Sequence, residues 1–342
     1  MEQLYRFSPY LKSTLWGGHK LMAQRSGLTM TLPPAEAEAE RARLEKFDNI
    51  GESWEISAMP ACECTVADGP EAGMTLSQLI ENHGAALVGD SVWQRFGNRF
   101  PLLIKFIDAA ADLSLQVHPD DSLAMQRHGL PGKTEMWYIL DTAPDALIRC
   151  GLRYDLTPAE YDCRIADGTL MEAVNSVVAA PGQVYVLPPG RLHAIGAGTM
   201  LIEIQQSSDI TYRVDDYGRR DSDGNLRELH TEQARDAIDY RRTDNIWVMT
   251  PPIPDDKDTI QSVVLEHGPY FTADRVCVRG SHNINNTADS FMALICLDGK
   301  GYCRVGDTVQ PVYKGTTLLI PAIRNTVGLE GDMTLITVTV AC

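Results

Sequence analysis

Two histidine-bearing segments and the polar residues around them are the first candidates for chemistry in this sequence. In the segment SLQVH, Ser114, Gln116 and His118 alternate with leucine and valine. Alternate residues of a β-strand point to the same face, so these three side chains share one face of a predicted strand. That face either lines a polar site or is exposed to solvent ahead of the turn at Pro119. The segment alone leaves both interpretations open.

A lysine and a glutamate stand at the entrance of the next strongly apolar segment, GKTEMWYIL. Lys133 and Glu135 are two residues apart and lie on one face if the chain is extended. An ordinary surface ion pair has the same spacing and contributes little to stability. A third segment, LPPGRLHAIG, places His193 in a turn rich in proline and glycine that follows a strand. Neither segment identifies a site by itself.

Four side chains in these segments carry metal-ligating atoms: Gln116, His118, Glu135 and His193. Together they would supply two imidazole nitrogens and two oxygens, a set that suits Zn²⁺ and related divalent metals. A single carboxylate leaves residual positive charge on the metal, and that charge suits a Lewis acid that polarises a substrate oxygen. If the segments converge, the sequence therefore predicts a metal site.

The fourth segment, IEIQQSSDITYR, contains a charged residue in an apolar run. Glu203 stands between Ile202 and Ile204, where burial without a partner would be costly. Arg213 is a candidate partner for Glu203 or a candidate contact for a substrate. If the four segments do not converge, Glu203 lies on a wet outer face and Arg213 in a surface loop.

The elements that must position these residues read as short β-strands. Apolar runs with alternating or continuous patterns span 102–108, 113–118, 136–140, 183–189 and 200–206. Clusters of Gly, Pro, Asp and Asn separate them, rather than regular helical crossovers. This arrangement favours an antiparallel barrel over a parallel α/β sheet, and we predict a mainly β fold.

Helical signals are few. The motifs TLSQ, TPAE and TLME, which begin at Thr75, Thr157 and Thr169, are typical of capping boxes at helix starts. The last two predict a small helical insertion at about 157–178. Thr231 is the predicted cap of a further helix over 230–240.

A segment rich in proline and aspartate, MTPPIPDDKD at 249–258, marks a predicted domain boundary. We expect a catalytic domain over 1–250 and a C-terminal β-sandwich or jelly roll over 251–342. Within the latter, DGKG at 298–301 predicts a turn between strands. No histidine occurs between 290 and 330, so we expect this domain to supply no metal ligand.

Composition excludes several classes of function. With 46 acidic and 30 basic residues, the net charge is −16, which disfavours attraction to nucleic acid or anionic membranes. No run approaches the roughly 20 apolar residues of a membrane span, and the start lacks a signal peptide pattern, so we expect a cytoplasmic protein. The eight cysteines include a C-x-C pair, Cys62 and Cys64, but no second thiol pair that would favour a thiolate metal site.

The order of the four segments resembles that of type I mannose-6-phosphate isomerases. LSLQVHPDD, GKTEMWYIL, LPPGRLHAIGAG and IEIQQSSDITYRVDDYGR are similar to successive signature segments of that family. PYLKSTLWGG and GESWEIS are similar to its shorter bacterial branch, and the resemblance covers essentially the whole chain. It implies two cupin-type jelly-roll β-barrels and a metal-dependent aldose–ketose isomerase that interconverts mannose 6-phosphate and fructose 6-phosphate.

The resemblance also implies roles for single residues. The metal ligands would be the four that ligand chemistry selects, and they would hold one Zn²⁺ per chain. Arg213 would stabilise charge near the sugar oxygens, Lys133 would exchange protons with them or act electrostatically, and Glu203 would be a base or an orienting group. Glu52 and Trp54 are weaker candidates, since a buried tryptophan with a satisfied glutamate is an equally good interpretation.

Ser114 and Lys105 would line the substrate pocket, Lys105 contributing positive charge for the 6-phosphate. In two places the sequence departs from the larger family members. Gly132 stands where they have a histidine before the lysine, and VDDYGRR replaces their Gly-Phe-Thr-Pro-Lys stretch after the arginine. Arg219, six residues after Arg213, is a candidate to replace that lysine at the phosphate.

Two alternatives come from other classes. A non-catalytic sugar-binding cupin module would tolerate the loss of a ligand, yet all four positions are filled, and no basic tract accompanies them. Another metal-dependent cupin enzyme, such as an iron dioxygenase, would rarely combine a glutamine ligand with basic residues for a phosphate. The expected partner is a small sugar phosphate, and the expected assembly a monomer or weak homo-oligomer.

Overall fold

The computed structural model describes residues 3–220, 223–252, 260–322 and 326–340. Its first ten strands are β1 (Tyr5–Ser8), β2 (Tyr10–Lys12), β3 (Glu52–Ile56), β4 (Thr65–Val66), β5 (Leu102–Ala109), β6 (Leu115–Val117), β7 (Glu135–Thr142), β8 (Leu147–Leu152), β9 (Val174–Val178) and β10 (Gln183–Leu187). The others are β11 (His193–Ile195), β12 (Thr199–Gln206), β13 (Tyr212–Asp215), β14 (Val248–Met249), β15 (Ile260–His267), β16 (Phe271–Asn285), β17 (Met292–Val305), β18 (Thr308–Tyr313), β19 (Thr317–Ile320) and β20 (Thr326–Val340).

The helices of the described residues are α1 (Lys20–Thr29), α2 (Pro34–Leu44), α3 (Leu76–His83), α4 (Ala85–Val88), α5 (Asp90–Phe96), α6 (Asp121–His128), α7 (Pro158–Asp167) and α8 (Thr231–Ala237). A short 3₁₀ helix spans Leu170–Ala173. None of these helices is long and apolar enough to cross a membrane. The strands outnumber the helices, so the mainly β prediction is confirmed.

The named strands form three sheets, in which every neighbouring pair is antiparallel. Sheet one has the order β15-β16-β20-β17-β19-β1-β4, with β18 beside β17. Sheet two has the order β14-β10-β7-β12-β5-β3-β2, and sheet three the order β13-β6-β11-β8-β9. Most neighbours are not consecutive in sequence, so the sheets depend on long-range pairing.

Sheet two is buried on both faces because its side chains alternate between two cores. Ile104 and Ile202 point to a large core shared with the helices and sheet one. Ile107, Trp137 and Leu201 point to a second core shared with Ile148 and other residues of sheet three. Polar residues that occur in register with this second set therefore face sheet three across the interior.

The first strand of the chain pairs with the C-terminal strands: Tyr5 of β1 lies opposite Leu319 of β19. The N-terminal segment thus completes sheet one, which otherwise consists largely of residues beyond 260. The boundary predicted at 249–258 lies partly outside the described residues, and the division at residue 250 stays a prediction.

Two of the predicted helix starts are confirmed. Thr75 caps α3 and Thr157 caps α7, and in both cases the Gln or Glu three residues later completes the capping box. The third is wrong: Thr169 makes no side-chain capping bond, and only a 3₁₀ turn follows before β9. The insertion at 157–178 is therefore one helix, a turn and a strand, because valines of 174–178 pair with β8. The helix over 230–240 exists as α8, but Thr231 is its first residue and not its cap.

The predicted turn at 298–301 is also wrong, because these residues lie inside β17. Gly299 has φ +83° and faces β20 across a bulge, where a Cβ would lie 2.1 Å from the carbonyl oxygen of Asp332. Glycine here permits close approach of two strands rather than a reversal of the chain. Helices α1, α2, α4, α5 and α6 were not predicted.

Candidate functional site

Three predicted metal ligands meet in the interior between sheets two and three. His193 Nε2 lies 3.1 Å from His118 Nε2 and 3.1 Å from Glu135 Oε1, and His118 Nε2 lies 3.5 Å from Glu135 Oε2. All three side chains are at most 2% exposed. Among the described residues they form the one group of His, Cys, Asp and Glu side chains close enough to share a metal ion. Cys62 and Cys64 do not belong to it.

Strand pairing explains how residues so far apart in sequence converge. In sheet three, His193 of β11 lies opposite Gln116 of β6, and His118 follows directly after that strand. In sheet two, Glu135 opens β7 and lies opposite Gln205 of β12. The two sheets pack face to face, so the carboxylate meets the imidazoles from the opposite side. Of the two interpretations that the segment left open, the solvent-exposed face is therefore wrong for His118, which points into the interior.

The hydrogen bonds of the histidines determine which nitrogen faces the site. His118 Nδ1 donates to the carbonyl of Ile210 and His193 Nδ1 to the carbonyl of Arg191, both at 2.8 Å. A carbonyl only accepts, so in the neutral imidazoles the proton is on Nδ1, and Nε2 presents its lone pair. Burial and the Lys133 ammonium both lower the pKa of His118 well below its usual value, which favours this neutral form.

The resulting arrangement fits a divalent cation. Two Nε2 lone pairs point at one another, and neither buried oxygen of Glu135 accepts a hydrogen bond of good geometry. Burial raises the pKa of Glu135, but Lys133 and the two imidazoles outweigh it and hold that pKa well below its usual range. The ligating atoms of the three side chains lie close enough together to bind one ion between them. Imidazoles held by backbone carbonyls are also the usual second-sphere arrangement of a metal site.

The fourth predicted ligand, Gln116, lies at the same place. Its amide nitrogen is 3.3 Å from His193 Nε2. The two ends of an amide are assigned from hydrogen bonding, and the opposite rotamer directs the oxygen to the same point. Gln116 is thus within reach of the other three residues.

A cavity of about 270 Å³ opens beside this cluster. Its cationic lining residues are Lys12, Lys105, Lys133, Arg213 and Arg227. Its carboxylates are Glu52, Glu203 and Asp209, and Ser114 and Gln116 also line it. Five cations face three carboxylates, the reverse of the balance in the whole chain. Larger cavities of about 570 and 1010 Å³ lie elsewhere, but none of the predicted site residues lines them.

Strand register sets a row of four side chains, of which Lys105 and Glu203 line the cavity. Trp54, Lys105, Glu203 and Trp137 lie side by side across β3, β5, β12 and β7. Lys105 Nζ is 3.3 Å from Glu203 Oε1 and 4.5 Å from the centre of the Trp54 ring. Trp137 Nε1 donates to Glu203 Oε2 at 2.8 Å. Glu203 is 3% exposed, so the wet-face alternative is wrong, and its partners are Lys105 and Trp137 rather than Arg213.

A second carboxylate shares the Lys105 ammonium. Glu52 Oε2 is 3.5 Å from Lys105 Nζ, and it also accepts from Trp54 Nε1 at 2.7 Å. Burial raises the pKa of Glu52, but Lys105 and Lys12 outweigh it and lower that pKa to about 2. Burial by itself would lower the pKa of Lys105. The carboxylates of Glu203 and Glu52 have the larger effect, so the pKa of Lys105 lies above its usual value. Glu52 and Lys105 are therefore both charged at neutral pH.

The arginines of the predicted site differ in position. Arg213 lines the cavity and donates to the Glu228 carbonyl at 2.8 Å. Arg219 is not among the lining residues, because its guanidinium bonds the carbonyl of Asp112 and the carboxylate of Asp216. Arg227 lines the cavity instead, with Nη1 3.3 Å from Asp216 Oδ1. Burial, and then Arg227 among the nearby charges, lowers the pKa of Arg213.

Sequence reasoning missed Arg227 and Lys12. Both lie outside the four signature segments, and neither residue is distinguished locally from a surface cation. The signal for Arg227 was the abundance of arginine between 213 and 227, and the signal for Lys12 was its place in the segment PYLKSTLWGG. Neither signal shows that the side chain reaches the cavity.

Comparisons with known proteins agree with this geometry. Residues 4–142 match the phosphomannose isomerase type I catalytic domain, and residues 261–340 match the mannose-6-phosphate isomerase cupin domain. Mannose-6-phosphate isomerase ManA of Bacillus subtilis is 34% identical over 95% of each chain. Mannose-6-phosphate isomerase of Streptococcus mutans is 32% identical over 94% of this chain and 93% of its own length.

Solved structures show the same fold. The crystal structure of the mannose 6-phosphate isomerase from Bacillus subtilis superposes with a TM-score of 0.78 at 32% identity, covering 98% of this chain and 99% of that one. A phosphomannose isomerase structure from Salmonella typhimurium, at 14% identity and a TM-score of 0.74, shares the fold alone. The cupin fold predicted from the sequence is therefore confirmed. From two domain matches and relatives above 30% identity along nearly its whole length, the chain belongs to the type I mannose-6-phosphate isomerase family.

Proposed function

We propose that this chain is a metal-dependent aldose–ketose isomerase that interconverts mannose 6-phosphate and fructose 6-phosphate in the cavity beside His118, Glu135 and His193. One observation carries the proposal: three buried side chains with metal-ligating atoms converge beside a small cavity whose lining is cationic in an otherwise acidic protein. The cluster suits a Lewis acid, and the cations suit an anionic substrate. The names of the relatives supply the identity of the sugar phosphate.

The residues that would hold the metal are Gln116, His118, Glu135 and His193. Nitrogen and oxygen donors in a set of four favour Zn²⁺, one per chain. When bound, such an ion polarises sugar oxygens and lowers the energy of negative charge on them. Lys133 Nζ, 2.7 Å from Glu135 Oε2, adds a positive charge at the same place.

Three side chains that line the cavity, Lys133, Arg213 and Glu203, have different proposed roles. Lys133 is buried between the ligand cluster and Glu203, and its Nζ lies 3.8 Å from Glu203 Oε1. We therefore assign Lys133 either to proton exchange with the sugar oxygens or to electrostatic stabilisation of charge on them. Arg213 faces the same cavity and is assigned to stabilising charge on those oxygens. Both oxygens of Glu203 are engaged by Lys105 and Trp137, which favours its orienting role over its role as a base.

We assign recognition of the phosphate to other cations that line the cavity. Arg213 and Arg227 share one cavity with Ser114, and the pair is only partly neutralised by Asp216. We propose that Arg227 contacts the phosphate together with Lys105 and Ser114. The sequence assigned this contact to Arg219, which here fastens its loop to Asp216 and to the backbone. The assignment of the phosphate contact to Arg219 stays a prediction. Variants of Arg219 and Arg227 should be compared for their effect on KM.

The expected partner remains a small sugar phosphate, without nucleic acid or membrane, in a cytoplasmic monomer or weak homo-oligomer. The acidic net charge supports the first two exclusions, because it repels polyanions and anionic lipid surfaces.

The test is turnover. Purified protein incubated with fructose 6-phosphate should yield mannose 6-phosphate, and about one divalent metal per chain should be found by elemental analysis. His193→Ala should lose the metal and the activity, whereas His267→Ala, at an exposed position on β15, should keep both. Binding of the sugar phosphate without turnover by metal-loaded protein would favour the sugar-binding module instead.

A further inference from the structure

In the loop that carries Lys133, each residue from 131 to 134 takes part in a hydrogen bond. Ser208 Oγ donates to the carbonyl of Pro131 at 3.0 Å, and Lys133 N donates to the carbonyl of Pro119 at 3.2 Å. Thr134 N donates to Gln206 Oε1 at 2.7 Å, and Gln206 N returns a bond to the carbonyl of Thr134 at 3.0 Å. Backbone groups of a connecting loop are commonly left to water, so this density of bonds indicates a loop held for position.

One carboxylate lies at the centre of these bonds. Asp121, the first residue of α6, accepts from Gly132 N at 2.8 Å and from Gln206 Nε2 at 3.1 Å through its Oδ1. Its Oδ2 accepts from the hydroxyl of Tyr270 at 2.8 Å. Asp121 therefore holds the residue before Lys133 directly and the residue after it through Gln206. Hydrogen bonds to an ionised acceptor are about twice as strong as neutral ones.

The packing of Gly132 leaves the loop little freedom. A Cβ at this position would lie 2.6 Å from the backbone nitrogen of Asp121 and 2.6 Å from the carbonyl carbon of Asp120. The backbone of the loop thus rests directly on the first turn of α6. This packing fixes the position of the Lys133 backbone. From there Lys133 Nζ lies 2.7 Å from Glu135 Oε2 and 3.4 Å from His118 Nε2.

The third donor to Asp121 comes from the other end of the chain. Tyr270 precedes β16 and lies within the segment that matches the C-terminal cupin domain. The tyrosine and Pro131 line the same mostly apolar cavity of about 370 Å³. The described residues of the C-terminal segment contribute nothing to the ligand cluster, but the Tyr270 hydroxyl contacts the carboxylate that supports the Lys133 loop.

We propose that Asp121 and Tyr270 are positioning residues for Lys133: the carboxylate seats residues 132–134 on α6, and the C-terminal tyrosine holds that carboxylate in place. The proposal rests on the proposed isomerase function and on the role of Lys133 in it. A displacement of about 1 Å in a catalytic group costs up to about a hundredfold in rate, so loss of the seat lowers kcat. It leaves KM and metal content unchanged, because neither residue lines the substrate cavity or belongs to the ligand cluster.

Four variants test this with metal-loaded protein. Asp121→Ala should lower kcat about tenfold, and Asp121→Asn, which keeps an acceptor oxygen, should restore it to within about threefold of wild type. Tyr270→Phe should lower kcat about threefold. The matched control is Tyr302→Phe, the same change at an exposed tyrosine of the C-terminal segment, and it should have no effect.

A second readout does not depend on turnover. Lys133 is 3% exposed, so its reductive methylation, followed by mass spectrometry, should be slow in wild type and faster in Asp121→Ala and Tyr270→Phe. If the wild-type protein does not turn over sugar phosphate, the proposed function is contradicted. In that case the methylation rates by themselves test whether Asp121 and Tyr270 position Lys133. Unchanged kcat and unchanged methylation in both variants would overturn the inference. So would a loss of activity that follows only a loss of metal or of folded protein. If Asp121→Ala does not fold, Tyr270→Phe decides.

Discussion

Replacing Lys105 by methionine should expose how strongly this site depends on one buried ammonium. Lys105 is 4% exposed, and its Nζ lies 3.3 Å from Glu203 Oε1 and 3.5 Å from Glu52 Oε2. Methionine keeps most of the volume of the side chain but removes the charge. Glu203 then loses its closest cation, and Glu52 loses one of its two, because Lys12 still lies 3.4 Å from Glu52.

The expected cost follows from two magnitudes. Removal of one partner from a buried ion pair costs about 3–5 kcal/mol, because a buried charge is left uncompensated. The pKa of Glu52, held at about 2 against an ordinary 4.5, corresponds to about 3 kcal/mol in favour of its charged form in the folded protein. We therefore expect Lys105→Met to lower the free energy of unfolding by about 3–5 kcal/mol at pH 7.5.

The loss should shrink as the pH falls. In the wild type, the lowered pKa of Glu52 contributes stability that is present above pH 4.5 and is lost as the pH falls toward 2. Without Lys105, the pKa of Glu52 in the folded variant lies higher than in the wild type. The difference between the two proteins is then complete above the pKa of the variant and decreases as the pH falls through it. Urea unfolding followed by fluorescence at pH 7.5 and at pH 3 measures the loss on either side of this change.

Two controls make the result interpretable. Lys46→Met changes an exposed lysine in the same way and should alter the free energy of unfolding by less than about 0.5 kcal/mol. Adding Glu52→Gln to Lys105→Met should recover part of the loss, because it removes one of the unpaired charges. A loss below about 1 kcal/mol, or one that is the same at both pH values, would refute the reasoning.

Three further outcomes are expected. Chelation, or His193→Ala, should remove metal and turnover together while the circular dichroism of the fold survives, and full activity in metal-free protein would contradict the metal site. Arg213→Met should lower kcat by about two to three orders of magnitude, equivalent to about 3–4 kcal/mol, with metal content unchanged. A rise in KM alone would assign Arg213 to uniform binding. Arg227→Met should raise KM for the sugar phosphate more than Arg219→Met does, and the reverse order would return the phosphate contact to Arg219.

Features that depend on a few neighbouring residues could be read from the sequence. The capping boxes at Thr75 and Thr157 and the strands that carry the site are local patterns, and they are confirmed. The same reasoning was wrong at Thr169 and at Gly299. There, pairing with β8 and close approach to β20 outweighed the local preference for a helix and for a turn.

The chemistry of the candidate ligands could likewise be predicted from the residue types. Two histidines, a glutamate and a glutamine define a possible zinc site wherever they meet, because their donor atoms do not depend on the fold. His118, Glu135 and His193 meet because two sheets pack face to face. The spacing of these residues in the sequence does not predict that packing.

The partners of the charged residues were decided only by tertiary structure. Register across three strands places Lys105 between Glu203 and Trp54. Both Arg219 and Arg227 contact Asp216, but only Arg227 lines the cavity, because Arg219 also bonds the carbonyl of Asp112. These contacts join residues that are distant in the chain, so each one follows from the packing of whole elements. The strength of an ion pair depends on separation and burial in space, which the order of residues does not contain.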